Sequence, residues 1–203
     1  MREIQKDMRE FIIRAAGNIF ARFGFRKTTM DEIAQAANKA KSSIYHYFES
    51  KEDVFRAIVE KESGILINEI TKAINMEETH QGKLRSYFIT RMKILHKLAN
   101  FYSTLRDEYL KHYSFIEKIR KQHDKEEIKI VKEILQGGVE KGIFIVNDPE
   151  VTAFAIITAL KGLEYPWVKE NDVTKTEDRI DILLEILFNG IVKNKPGYYR
   201  KGG

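Results

Sequence analysis

Lys41, Ser42, Tyr45 and His46 crowd together in the stretch Lys41-Ser-Ser-Ile-Tyr-His-Tyr-Phe. Their chemistry suits the edges of nucleic-acid bases. A lysine donates to guanine acceptors, a serine pairs with several edges, and a tyrosine ring packs on a thymine methyl. Ile44 and Phe48 stand four apart in the same stretch. A helix here would bury those two and turn Lys41, Ser42, Tyr45 and His46 outward. A short helix so decorated is what a helix-turn-helix inserts into a DNA major groove.

An isolated helix of about eight residues is unstable in water, so other elements must hold it. Thr29 with Glu32 three positions later makes a capping box, which predicts a helix from Met30 with Ile33, Ala34 and Ala37 inward. Asn38-Lys39-Ala40 interrupts that period, and Asn tolerates the left-handed conformation of a sharp turn. Ser50 and Asp53 form a Ser-x-x-Asp helix start, followed by inward Val54, Phe55, Ile58 and Val59. Upstream, Met8, Phe11, Ile12, Ala15, Ile19, Phe20 and Phe23 make one apolar stripe that Gly24 would close. The expected unit is three helices around a small shared core. Thr29 and Ser50 serve as caps whatever else they touch, and Tyr47 suits either the core or the DNA surface.

Gly24-Phe-Arg-Lys-Thr-Thr-Met-Asp-Glu-Ile-Ala, followed by Ser43-Ile-Tyr-His-Tyr-Phe-Glu-Ser-Lys-Glu, resembles the DNA-binding domain of the TetR (tetracycline-repressor) family of bacterial transcription regulators. The resemblance covers about the first quarter of the chain; beyond it only length, helicity and layout are similar. It implies that Lys41, Ser42 and Tyr45 touch base edges, and that Thr29, Ser43, His46, Tyr47 and Lys51 touch phosphates. Lys51 stands at a helix N-terminus, where backbone N–H groups and the dipole already favour an anion. Two positions depart from the family pattern. Lys39 replaces an aliphatic turn residue, and its stem can cover the core while its charge reaches water. Ala40 replaces a capping serine, which bears on where the recognition helix starts.

The composition agrees with a folded helical chain. The 203 residues suffice for one large or two small domains, and 43% are hydrophobic. The net charge of +5 permits nucleic-acid binding without proving it. Cysteine is absent, which removes disulfides, thiolate nucleophiles and thiolate metal sites. The N-terminal residues form no apolar signal core, and the run Ala153 to Leu160 is too short to span a bilayer. A cytoplasmic protein is expected. None of the 3 prolines precedes Pro149, as suits an all-α fold.

The periodicity predicts helices over 54–74 and 84–98, a continuation or restart with Phe101, Leu105, Tyr109 and Tyr113, and a helix over 116–141. Gly137-Gly138 should weaken or bend the last turn of that helix before Gly142 closes it. Asp148-Pro149-Glu150 starts another, ending near Pro166. The last begins at Thr174 or Thr176. About nine helices result. Residues 1–52 are expected to form the helix-turn-helix DNA-binding domain, 53–195 a larger helical ligand-binding and dimerisation domain, and 196–203 a mobile basic tail.

The expected function is a sequence-specific transcription regulator, a repressor released from a near-palindromic operator by a small-molecule effector. By the resemblance, the last two helices build a homodimer, with Phe154, Ile157, Ile180, Leu183, Leu184, Leu187, Phe188 and Ile191 as interface candidates. A pocket in the C-terminal helices would be lined by Phe88, His96, Phe101, Tyr102, Tyr109, Tyr113 and Trp167. Each of these suits the core equally. No enzyme, cofactor or metal is expected: His46, His80, His96, His112 and His123 make no i, i+4 pair and no Gly-rich phosphate loop occurs. His112 and His123 are the one pair considered to meet in space. A structural DNA-binding factor or protein adaptor without a small ligand remains the alternative. A filled core favours it, whereas a cavity of several hundred Å³ favours a sensor.

Overall fold

The computed structural model describes residues 2–98, 114–170 and 173–189, which form eight helices and no strand. They are α1 (Arg2–Phe23), α2 (Met30–Ala36), α3 (Lys41–Tyr45), α4 (Lys51–Asn75), α5 (His80–Lys97), α6 (Ser114–Glu140), α7 (Pro149–Glu170) and α8 (Val173–Asn189). The helix expected around Phe101 to Tyr113 and the basic tail lie outside the described residues. α4 is the axis: it packs on α1 at one end and on α5 and α6 further along, while α7 covers α6 and α8 covers α5. The buried apolar residues form one cluster from Ile12 to Leu184. α4 runs unbroken through residues 52 and 53, where the sequence suggested a domain boundary.

The caps set the helix starts as the sequence predicts. Thr29 Oγ1 accepts from the Glu32 N–H at 3.2 Å, and Glu32 answers by accepting from the Thr29 N–H at 2.7 Å. Ser50 Oγ accepts from the Asp53 N–H at 3.2 Å to open α4. Asp148 Oδ1 accepts from the N–H groups of Glu150 and Val151 to open α7. Gly24 (φ +80°) and Asn38 (φ 49°) hold the left-handed conformations that end α1 and turn α2 into α3. A cap at Thr79, which accepts from the Gly82 N–H at 3.0 Å, starts α5 within the stretch read as loop.

Several apolar faces differ from expectation. α1 buries Ile12, Ile13, Ala16 and Phe20, while Phe11 and Phe23 are exposed. The true stripe is rotated because Phe20 must join Phe25 and Phe55 in an aromatic cluster with centroids 4.9–5.9 Å apart. Gly137 and Gly138 do not bend α6. They admit rings: a Cβ would sit 2.7 Å from the His80 ring and 2.1 Å from the Phe144 ring. α7 does not stop near Pro166 but continues to Glu170. A proline lacks one N–H and crowds the carbonyl four residues back, and that residue is Gly162.

The deepest polar feature was illegible in the sequence. Arg91 on α5 and Glu127 on α6 are fully buried and paired, the guanidinium meeting both carboxylate oxygens. Tyr87 also donates to Glu127, and His123 Nε2 lies against the same carboxylate. Burial opposes ionisation of Glu127, but the charges of Arg91 and His123 and their hydrogen bonds outweigh it, so its pKa falls well below the usual 4.5. A depressed folded-state pKa contributes stability above the unfolded value. That contribution disappears as pH falls from about 4.5 through the folded pKa. Glu127→Gln should therefore cost about 3 kcal/mol at neutral pH by leaving Arg91 buried without its counter-charge. It should also flatten the loss of stability below pH 4.5. Urea unfolding from pH 3 to 7 measures both; a variant as stable as the parent contradicts this role.

Candidate DNA-binding site and effector cleft

The turn places α3 on the surface with one buried anchor on each turn. Ile44 is fully buried and Phe48, just past the helix, nearly so. α3 is only five residues long, shorter than the eight the sequence suggested. Ala40 offers no side-chain cap, so nothing on its own N-terminus lengthens it. Lys41, Ser42, Ser43, Tyr45 and His46 are all exposed on this short helix and its C-cap. Thr29, one helix earlier, is exposed as well. The structure thus brings most of the sequence-singled residues onto one unit.

Three of them have partners within the chain. Lys41 Nζ lies 2.7 Å from Asp31 Oδ1 on α2, which raises the lysine pKa through that hydrogen bond and the carboxylate charge. Both side chains are more than half exposed, so the pair is easily exchanged for a DNA contact. Tyr47 is half-buried against the core, edge-on to His46 with centroids 5.1 Å apart. Lys51 is the largest departure. Its ammonium donates to the Phe25 and Thr28 carbonyls at 3.1 Å each and sits 4.6 Å from the Phe25 ring centroid. It ties the start of α4 to the loop before α2, so a structural duty stands beside the phosphate contact that the resemblance implied.

Further along, a cleft of about 1150 Å³ opens between α4 and α6. Arg56, Glu60, Ser63 and Gly64 line it from α4, and Phe115, Ile119 and His123 are among the α6 residues facing them. Ser63 Oγ lies 3.3 Å from His123 Nδ1, and both residues are buried. None of the sequence-proposed pocket residues is in this lining. Phe88 is core, fully buried and edge-on to Tyr87. Phe101, Tyr102, Tyr109 and Tyr113 lie outside the described residues, as do the side chains of His96 and Trp167. His112 is outside them too, so the pairing of His112 with His123 gives way to the observed one with Ser63 and Glu127. No sequence signal pointed to Ser63, because serine in mid-helix has no periodic signature.

The interface candidates divide. Ile157, Ile180 and Leu184 are buried within the single chain, so they build its own core. Leu183 packs half-buried on that core. Phe154, Leu187 and Phe188 remain exposed, joined by Val151, Ile182 and Ile186, which the sequence reading missed. Ile191 is outside the described residues.

Residues 12–58 match the profile of the bacterial regulatory proteins of the tetR family. The match spans α2, the turn, α3 and the start of α4, where the geometry places the exposed donors. The chain belongs to the TetR family. It is similar to YhgD, an uncharacterised HTH-type transcriptional regulator of Bacillus subtilis, at 25% identity over 93% of this chain and 98% of the relative. It is similar to the HTH-type transcriptional repressor KstR2 of Mycolicibacterium smegmatis at 23% identity, over 92% of each. Its fold matches the structure of the transcriptional regulator FadR of Bacillus subtilis in complex with stearoyl-CoA, with TM-score 0.76, 22% identity, and 90% and 99% of the two chains covered. This TetR-family chain is accordingly a DNA-binding transcription regulator. No helix among its described residues is long and apolar enough to cross a membrane.

The double duty of Lys51 can be measured. Lys51→Ala should lower the stability of the free protein by about 1–2 kcal/mol, since two charge-assisted hydrogen bonds to carbonyls disappear. Thermal unfolding without DNA reads this. An unchanged midpoint would show that the two carbonyl contacts contribute nothing.

Proposed function

We propose that this protein is a homodimeric repressor that holds a near-palindromic operator and is released by a small molecule bound in the cleft between α4 and α6. The carrying observation is the course of α4. The same continuous helix begins against the loop that braces the DNA-binding unit and lines the cleft at Arg56, Glu60, Ser63 and Gly64. A ligand wedged between α4 and α6 therefore acts on a helix that carries the recognition unit. A preference for one helix arrangement of about 1–3 kcal/mol gives a typical coupling.

The dimer is supported by the exposed apolar surface on α7 and α8. Val151 and Phe154 lie one turn apart on α7, and Ile182 and Ile186 one turn apart on α8. Two such helices from each of two chains make a four-helix interface. Such a pair presents two recognition helices about one DNA turn, roughly 34 Å, apart. Lys41, Ser42 and Tyr45 would then read base edges, and Thr29, Ser43, His46, Tyr47 and Lys51 would meet phosphates. The acyl thioester bound by the FadR relative supports an acyl-CoA class of effector.

Ser63, His123 and Glu127 form a serine–histidine–carboxylate row, the kind of arrangement that activates a nucleophile. We read it as the polar floor of a binding cleft, not as catalytic machinery. Ser63 lies within α4, where backbone N–H groups are consumed by the helix and supply no oxyanion donors. Glu127 is already engaged by Arg91 and Tyr87. The cytoplasm is the compartment in which such a regulator meets its operator.

Two variants test the assignment. Lys41→Ala should weaken operator binding and relax base preference at one or two positions, a change of about 1–3 kcal/mol for the lost contact. Ile186→Glu places a charge on the exposed face of α8 and should yield monomers that bind the operator at least tenfold more weakly. Sedimentation and operator titration report these outcomes. Uniform loss across all sequences from Lys41→Ala would refute base reading, and an Ile186→Glu dimer would refute the interface.

A further inference from the structure

We propose that the cleft between α4 and α6 receives the phosphate-bearing head of an amphipathic anion, with cations at its mouth and Ser63 and His123 at its floor. This rests on the effector-release reading above and names the chemistry of the ligand. α6 builds the site by its own period. Phe115, Ile119 and His123 recur every fourth residue and turn toward α4, the last two buried. Lys118, Lys121 and Lys125 are exposed beside that row at the mouth. From α4, Arg56 joins them, its guanidinium 5.4 Å from the Phe115 ring centroid.

The charge balance selects an anion. Four cationic side chains line the cleft against the two carboxylates of Glu60 and Glu126, and Gln122 donates to Glu126 at 2.8 Å. Cations around a concave, low-dielectric wall focus a positive potential at its mouth. Lysine and arginine are the usual partners of phosphate, as point charge and as fork. The apolar part of the ligand has Phe115 and Ile119 to lie on.

A second observation comes from the opposite wall. Glycine inside a helix is costly relative to alanine, and Gly64 stands in the interior of α4. No neighbour demands it: a Cβ built there meets nothing within 4 Å. What the missing side chain provides is open space in the cleft. The volume of about 1150 Å³ exceeds the roughly 300–1,000 Å³ usual for drug-sized ligands. A headgroup with an attached chain uses such a volume. At the floor, the Ser63–His123 pair is held by Glu127, which Arg91 clamps. A carbonyl between head and chain can accept there from the serine hydroxyl.

The test titrates the full chain calorimetrically with stearoyl-CoA, a phosphate-bearing amphipath, and with stearate, which has a similar chain and no phosphate. Stearoyl-CoA should bind at least tenfold more tightly, and its affinity should fall with salt. The double variant Lys118→Glu/Lys125→Glu should lose at least tenfold for stearoyl-CoA. Lys129→Glu, an exposed site on the same helix outside the cleft, should not. Gly64→Trp should block both ligands. Equal affinities for the two probes, charge reversals without effect, or no binding of stearoyl-CoA would overturn the assignment. Stearoyl-CoA that binds as expected but leaves operator affinity unchanged would instead refute effector release while the cleft assignment stands.

Discussion

A recognition helix of five residues cannot hold its own shape. Its apolar contribution is Ile44, with Phe48 just beyond its end, and it has no side-chain cap. Everything that lets Lys41, Ser42 and Tyr45 face outward in a fixed arrangement comes from elsewhere. The capping box of α2, the left-handed Asn38 and the aromatic cluster of Phe20, Phe25 and Phe55 supply the frame. Lys51 then fastens α4 to that frame through the Phe25 and Thr28 carbonyls. The DNA-reading surface is thus a property of α4 as much as of α3.

That dependence makes the middle of α4 consequential. There it meets α5 and α6, whose own union is centred on a buried ion pair. Arg91 and Glu127 are both withdrawn from water, so each holds the other in place, and Tyr87 and His123 complete the carboxylate's shell. His123 extends this rigid centre to Ser63 on α4. A rigid floor beneath an open cleft gives a ligand something to push against. The opposite arrangement, a soft core, would absorb the displacement before it reached the N-terminal unit.

Much of this was legible in the residues. Caps, turns and helix starts are local, so Thr29, Asn38, Ser50 and Asp148 announced themselves by type and spacing. The donors of the DNA-binding unit were legible for the same reason. Tertiary choices were not. Which face of α1 turns inward depends on Phe20 meeting Phe55, thirty-five positions away. Gly137 and Gly138 looked like helix weakeners because the rings of His80 and Phe144 that occupy their space are set by other segments. Arg91 read as one charged residue among apolar ones, and only the fold brings Glu127 to it. Ile182 and Ile186 were missed because the wide apolar arc of α8 hides which part faces its own chain and which part faces out.

The account stands or falls on two recognition units reading one operator. Selection of binding sites from random duplex DNA, with affinity followed against salt, tests it most directly. The account predicts a palindromic consensus with half-sites about one helical turn apart, bound with a steep loss of affinity as salt rises. Weak, salt-sensitive binding with no consensus would contradict it.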